Sequence, residues 1–99
     1  MTSYVLSPAA RADLKSIWDY TTEHWGAGQA EAYLRDIERG VERVVQNPLM
    51  GRRCDEVRQG YRRHSVGSHT LYYRIVDGDD VVDVVRVLHK GMDVDQHLD

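Results

Sequence analysis

Near Asn47 the spacing of apolar residues changes from three-and-four to two, and that change limits the chain to a pair of helices followed by a meandering sheet. Before it, Ala10, Leu14, Ile17, Trp18, Thr21 and Trp25 fall on one helical stripe. Ser7-Pro8 opens this helix as N-cap and first helical residue, and Gly26 and Gly28 end it. A second helix is expected from about Gln29 to Gln46, with Ala30, Tyr33, Leu34, Ile37, Val41, Val44 and Val45 as its stripe. Asn47-Pro48 stops it, and the residues from there to 60 read as an irregular connection with a turn near Asp55. Residues 61–66, 69–76 and 81–89 then alternate as strands, turned at Gly67-Ser68 and at Asp77-Gly78. With a short β-prone segment at 3–6, the expected order is β-α-α-β-β-β. That is an α+β fold in which a helical hairpin packs on a small, mainly antiparallel sheet. At 99 residues the chain is expected to form a single domain over 1–99.

Alternation sorts the strand residues. Leu71, Tyr73 and Ile75 share one face; Thr70, Tyr72, Arg74 and Val76 share the other. In the last strand Val82, Val84, Arg86 and Leu88 are expected on one side, and Asp83, Val85, Val87 and His89 on the opposite side. Two helices cover only one face, so the other must stay partly open or be covered by something else. Arg86, set among valines, has two readings. It is either internally paired, with Asp13 or Glu56, or it stands on the open face with Arg74 or Arg62, ready for phosphate or carboxylate.

Charge is unevenly spread. Residues 51–76 hold six arginines against two acids, while residues 77–99 hold seven aspartates against two basic residues. The net charge of −3 argues against a protein that coats DNA, but the basic middle can meet an acidic partner or nucleic acid locally. Arg62, Arg63, His64, Tyr72 and Arg74 could supply charge and a proton shuttle there. The five histidines show no metal-binding spacing, so no metal or cofactor is expected. Cys54, the one cysteine, is expected to be partly buried as a packing residue, and Trp18 and Trp25 to pack in the core and the hairpin. The absence of a long apolar run or a leader-like start predicts a soluble, cytoplasmic chain with no membrane partner.

The stretches LSPAARADLKSIWDYT, NPLMGR, GYRRHSVGSHTLYYRI and DVVRVLHKGMD together resemble the ParE toxins of type II toxin–antitoxin modules, within the RelE/ParE superfamily. The combination of Pro48 to Gly51 with Arg86, His89, Met92 and Asp93 carries the likeness most specifically. The resemblance implies a toxin that inhibits DNA gyrase and stabilises cleaved DNA, so that the chain itself needs no catalytic residue. It also implies neutralisation by a ParD-like ribbon-helix-helix antitoxin, through which alone operator DNA would be reached. Under that reading Arg62, Arg74, Arg86, His89 and Met92 are candidate target contacts. Leu14, Trp18, Tyr33, Ile37 and Tyr72 are candidate antitoxin contacts. The alternatives are a ribosome-dependent mRNA endonuclease of RelE type and an inactive, antitoxin-binding module. The ribonuclease relatives often carry a tyrosine near the C-terminus, whereas here no tyrosine follows Tyr73.

Overall fold

The structure, a computed structural model, describes residues 3–76, 78 and 81–92. In chain order it contains β1 (Ser3–Leu6), α1 (Pro8–Trp25), α2 (Ala27–Gln46), a 3-10 turn (Pro48–Met50), β2 (Arg52–Arg53), β3 (Tyr61–Val66), β4 (His69–Val76) and β5 (Val81–His89). The strands make one sheet in the order β1-β5-β4-β3-β2. The β1–β5 pair is parallel and the other three pairs are antiparallel. The expected α+β hairpin-on-sheet architecture is therefore present, with β2 added. Two residues are too few to show alternation, which is why β2 was hidden in what reads as an irregular connection.

Ser7 starts α1 and also ties it to the sheet. Its hydroxyl accepts from Ala10 N–H at 3.0 Å and donates to the Val85 carbonyl at 2.6 Å. At the other end of α1, Gly26 alone makes the hairpin joint. With φ +91° its N–H donates to Thr22 O and its carbonyl accepts from Ala30 N–H. The reversal is complete in one residue, so α2 begins at Ala27 and Gly28 falls inside its first turn rather than in a linker. Helix α2 approaches β3 closely at Gly40, where a Cβ would lie 2.5 Å from Val66 Cγ2.

The core lies between the hairpin and one sheet face. Ile17, Ile37, Val41, Val44, Leu71 and Tyr73 are among its buried members. The expected tryptophan packing is corrected here: Trp18 is 38% exposed and Trp25 72%, because the stripe that faces the sheet is narrow and runs through Ala10, Ile17 and Thr21.

The strict alternation expected of β5 also fails. A bulge shifts the register, so that Tyr72 pairs with Arg86 and Tyr73 with Val84, leaving Val85 as the extra residue. Val82, Val84 and Val87 consequently all join the helix-side core, whereas Val85 and Leu88 pack with Tyr72 on the second face. Arg86 is thereby moved off the face of Val82 and Val84. The second face is partly covered by the chain itself, since Cys54, Val57 and Tyr61 pack against Tyr72 and Leu88. Cys54, expected to be partly buried, is fully buried, and burial pushes its thiol pKa up, which keeps it protonated. Of the Asp77-Gly78 turn, Asp77 lies outside the described residues; Gly78 has φ +64°, and Val76 pairs with Val81 across the loop. Residues 93–99, including Asp93, also lie outside them.

Candidate functional site

The five candidate target contacts divide between two regions. Arg86, His89 and Met92 line one cavity of about 530 Å³ with Asp13, Tyr20 and His69. Arg86 is internally paired within it: Nε and Nη2 donate to the Asp13 carboxylate at 2.8 and 2.7 Å. The same carboxylate accepts Val87 N–H at 2.9 Å, along the stretch of β5 that β1 leaves unpaired. Asp13 was one of the two partners named for the paired reading. Its hydrogen bonds push the Arg86 pKa up and hold the guanidinium charged. His89 is exposed at the strand end, and its Nδ1 accepts Gly91 N–H at 3.1 Å. Met92 is half exposed.

Arg62 and Arg74 lie elsewhere. Arg62 donates to the carbonyls of Gly51 at 2.8 Å and Leu49 at 3.3 Å, bracing the turn before β2. Arg74 pairs with Asp83 on β5 at 3.0 Å. Tyr73, fully buried, holds that same turn: its hydroxyl donates to Pro48 O at 2.7 Å and accepts Gly51 N–H at 2.9 Å. Sequence reasoning missed this clasp because its partners are 22 and 25 residues away.

The candidate antitoxin contacts divide three ways. Leu14, Trp18 and Ile37 line a groove of about 370 Å³ between the helices and β1, with Tyr4, Leu6 and Leu34. Ile37 forms its floor, being 2% exposed. Tyr72 is buried on the second sheet face. Tyr33 turns toward the β3–β4 turn, where its hydroxyl accepts Ser68 N–H at 3.0 Å and meets His69 Nδ1 at 2.6 Å.

The Tyr33 hydroxyl also faces the Val66 carbonyl at 3.4 Å, so its contact with His69 Nδ1 serves either tautomer of the ring. Burial lowers the His69 pKa and neighbouring His89 lowers it further, against an opposing pull from Asp13. His64 is also lowered, by burial and then by Arg43. In the unfolded chain both titrate near the ordinary histidine value of about 6.5. Between the folded and unfolded values the unfolded state binds more protons, so acid favours unfolding. Urea unfolding should therefore show stability falling as pH drops through this window and levelling below the folded values. A His69→Gln variant should show a shallower fall; an equally steep one would exclude His69 as a source.

The second sheet face carries a basic group in which Arg63, expected to supply charge there, is joined by Arg52 and Lys90, which were not expected. Arg52, Arg63 and Lys90 line a shallow cavity of about 500 Å³ with Ser65, Thr70 and Tyr72. The surplus of arginine over residues 51–76 was the available signal, but Arg52 and Lys90 lie at strand ends where alternation assigns no face.

Residues 4–94 match the family described as "ParE toxin of type II toxin-antitoxin system, parDE". The chain is 56% identical over 95 residues to Toxin ParE1 of Mycobacterium tuberculosis, covering 96% of both chains. It is 40% identical over 98 residues to Toxin ParE1 of Caulobacter vibrioides, covering 99% of both. Among solved structures, a chain of the chromosomal ParDE system from P. aeruginosa superposes with a TM-score of 0.76 at 20% identity, over 90% of this chain and 95% of that one. A chain of the RelBE2 toxin–antitoxin complex from Mycobacterium tuberculosis gives 0.60 at 23%, over 90% and 98%. At those identities the likeness is one of fold.

Proposed function

The chain belongs to the ParE toxin family of type II toxin–antitoxin systems, and from that membership we propose that it acts by trapping DNA gyrase on cleaved DNA rather than by a reaction of its own. The observation that carries this reading is that Arg62, Arg74, Arg86 and Tyr73, the groups placed where the ribonuclease relatives would use theirs, are committed to structure. Arg86 is held by Asp13, Arg74 by Asp83 and Arg62 by the carbonyls of Leu49 and Gly51. Tyr73, the last tyrosine in the chain, is buried with its hydroxyl fully engaged, and burial pushes its pKa up. A ribonuclease would need such groups free to meet a 2′-hydroxyl and a scissile phosphate.

A ParD-like antitoxin is the proposed neutralising partner, and the groove of Leu14, Trp18 and Ile37 suits the apolar face of a partner helix. His89 and Met92, exposed beside the Arg86–Asp13 pair, are the proposed target contacts. Purified toxin added to gyrase, plasmid and ATP should raise linear DNA and stop supercoiling, and cognate antitoxin should reverse both. Cleavage of ribosome-bound mRNA with gyrase untouched would replace this reading with the ribonuclease one.

A further inference from the structure

We infer that the open sheet face bearing Arg52, Arg63 and Lys90 is a binding site for the phosphate groups of a DNA backbone. The inference extends the gyrase reading, in that the toxin would hold the DNA as well as the enzyme.

The strands β2 and β3 set four arginines in two directly opposed pairs, Arg53 with Arg62 and Arg52 with Arg63. Like charges opposed across neighbouring strands repel. The first pair is internally satisfied: Arg53 donates to Asp55 at 2.7 Å, and Arg62 donates to backbone carbonyls. In the second pair, among the described residues, neither guanidinium has a hydrogen bond or an ion pair. Lys90 likewise has no side-chain partner among them. Its position is fixed by its own backbone, whose N–H donates to Ser68 O at 3.0 Å. Arg52 and Lys90 are exposed and Arg63 is half-buried. The three converge on one cavity with the hydroxyls of Ser65 and Thr70, and among the described residues no carboxylate lines it.

Three unpaired cations beside two hydroxyls have the donor set that phosphate oxygens require. Arg52 on β2 is three strand spacings from β5, about 14 Å, and in register with Arg86, so Lys90, four residues further along, lies about 19 Å from it before side-chain reach is added. That distance spans roughly five to six nucleotides of one DNA strand. A protein partner suits this face less well. Such interfaces centre on exposed aromatic anchors, whereas the aromatic here, Tyr72, is only 6% exposed. The net charge of −3 confines binding to this patch and keeps it weak, in the non-specific range.

The test is fluorescence anisotropy of a labelled 20-base-pair duplex with the purified toxin, without gyrase, across a salt series. Three phosphate contacts predict that log K falls against log salt with a slope of about −2.7. The triple variant Arg52→Ala, Arg63→Ala, Lys90→Ala should bring that slope near zero and weaken binding at least tenfold at low salt. Its melting temperature should be unchanged or higher, because an unopposed repulsion is gone. The triple lysine/arginine swap Arg52→Lys, Arg63→Lys, Lys90→Arg should keep the slope, and so should Arg35→Ala on the helix surface. No duplex binding, binding indifferent to the triple variant, or tighter binding of a polyglutamate peptide would each overturn the site. Gyrase trapping without duplex binding sinks this inference alone. Duplex binding with gyrase unaffected sinks only the proposed target.

Discussion

Replacing Asp13 with alanine should lower the free energy of unfolding by roughly 2–4 kcal/mol, short of the full cost of removing one partner of a completely buried ion pair because this one is part-buried. The carboxylate accepts three hydrogen bonds, two from Arg86 and one from Val87 N–H. Both side chains are well shielded, at 13% exposure for Asp13 and 20% for Arg86, so water compensates only partly. Arg86→Ala should cost less than Asp13→Ala, because Asp13 keeps Val87 N–H as a donor when the guanidinium goes. The double variant should be more stable than the two separate losses imply, by about 0.5–3 kcal/mol. His89→Ala, at an exposed strand end, should stay within about 0.5 kcal/mol of the parent. Urea denaturation of the four variants measures all of these. A loss below about 1 kcal/mol for Asp13→Ala would mean that the pair does not hold α1 to β5.

Gly51→Ala should cost roughly 2–4 kcal/mol, through overpacking together with loss of a buried hydrogen bond. The position has an ordinary φ of −68°, so backbone conformation is not the reason. A Cβ there would run into the Tyr73 hydroxyl and lie 2.7 Å from ring atoms Cε1 and Cζ. The phenol cannot retreat, because it is fully buried and its oxygen holds both Pro48 O and Gly51 N–H. Tyr73→Phe should cost about 1–3 kcal/mol by leaving those two backbone groups unpaired. Since it also removes the atom that the new methyl would strike, the two losses should add to less than their sum. Strict additivity in urea unfolding would disprove the clasp. Leu49 and Met50, exposed within the clasped turn, would shift with it.

Both helices, the three long strands and the Arg86–Asp13 option were legible because each follows from a local period or from a charge that burial forces to pair. What escaped was set by contact between distant residues. The bulge at Val85 leaves no mark on the valine run, where either face accepts the same side chain. The one-residue hairpin joint was obscured by a second glycine at 28, and Gly40 reads as a helix weakness until β3 is seen against it. The candidate arginines were taken from strand position and from the family resemblance. The structure shows Arg62, Arg74 and Arg86 engaged internally and leaves Arg52, Arg63 and Lys90 facing outward. Trp18 and Trp25 fall at helical spacing, but size and spacing do not decide which rim of a stripe reaches the core.

The parallel pairing of β1 with β5 bears on how the protein comes into being. Leu6 aligns with Val84, and the Ser7 hydroxyl reaches the Val85 carbonyl, so the first strand waits for a segment made 78 residues later. Synthesis delivers α1 and α2 early, and they can close on each other through local contacts. Helix α2 can settle on β3 and β4 as they emerge, but the sheet-facing stripe of α1 waits for β5, the strand it packs on, which lies between β1 and β4. Closing that loop is slow by its length alone. Until β5 emerges the chain is therefore an unfinished sheet with part of its apolar helical hairpin exposed. A partner present at the moment of translation would meet that hairpin before the finished surface exists.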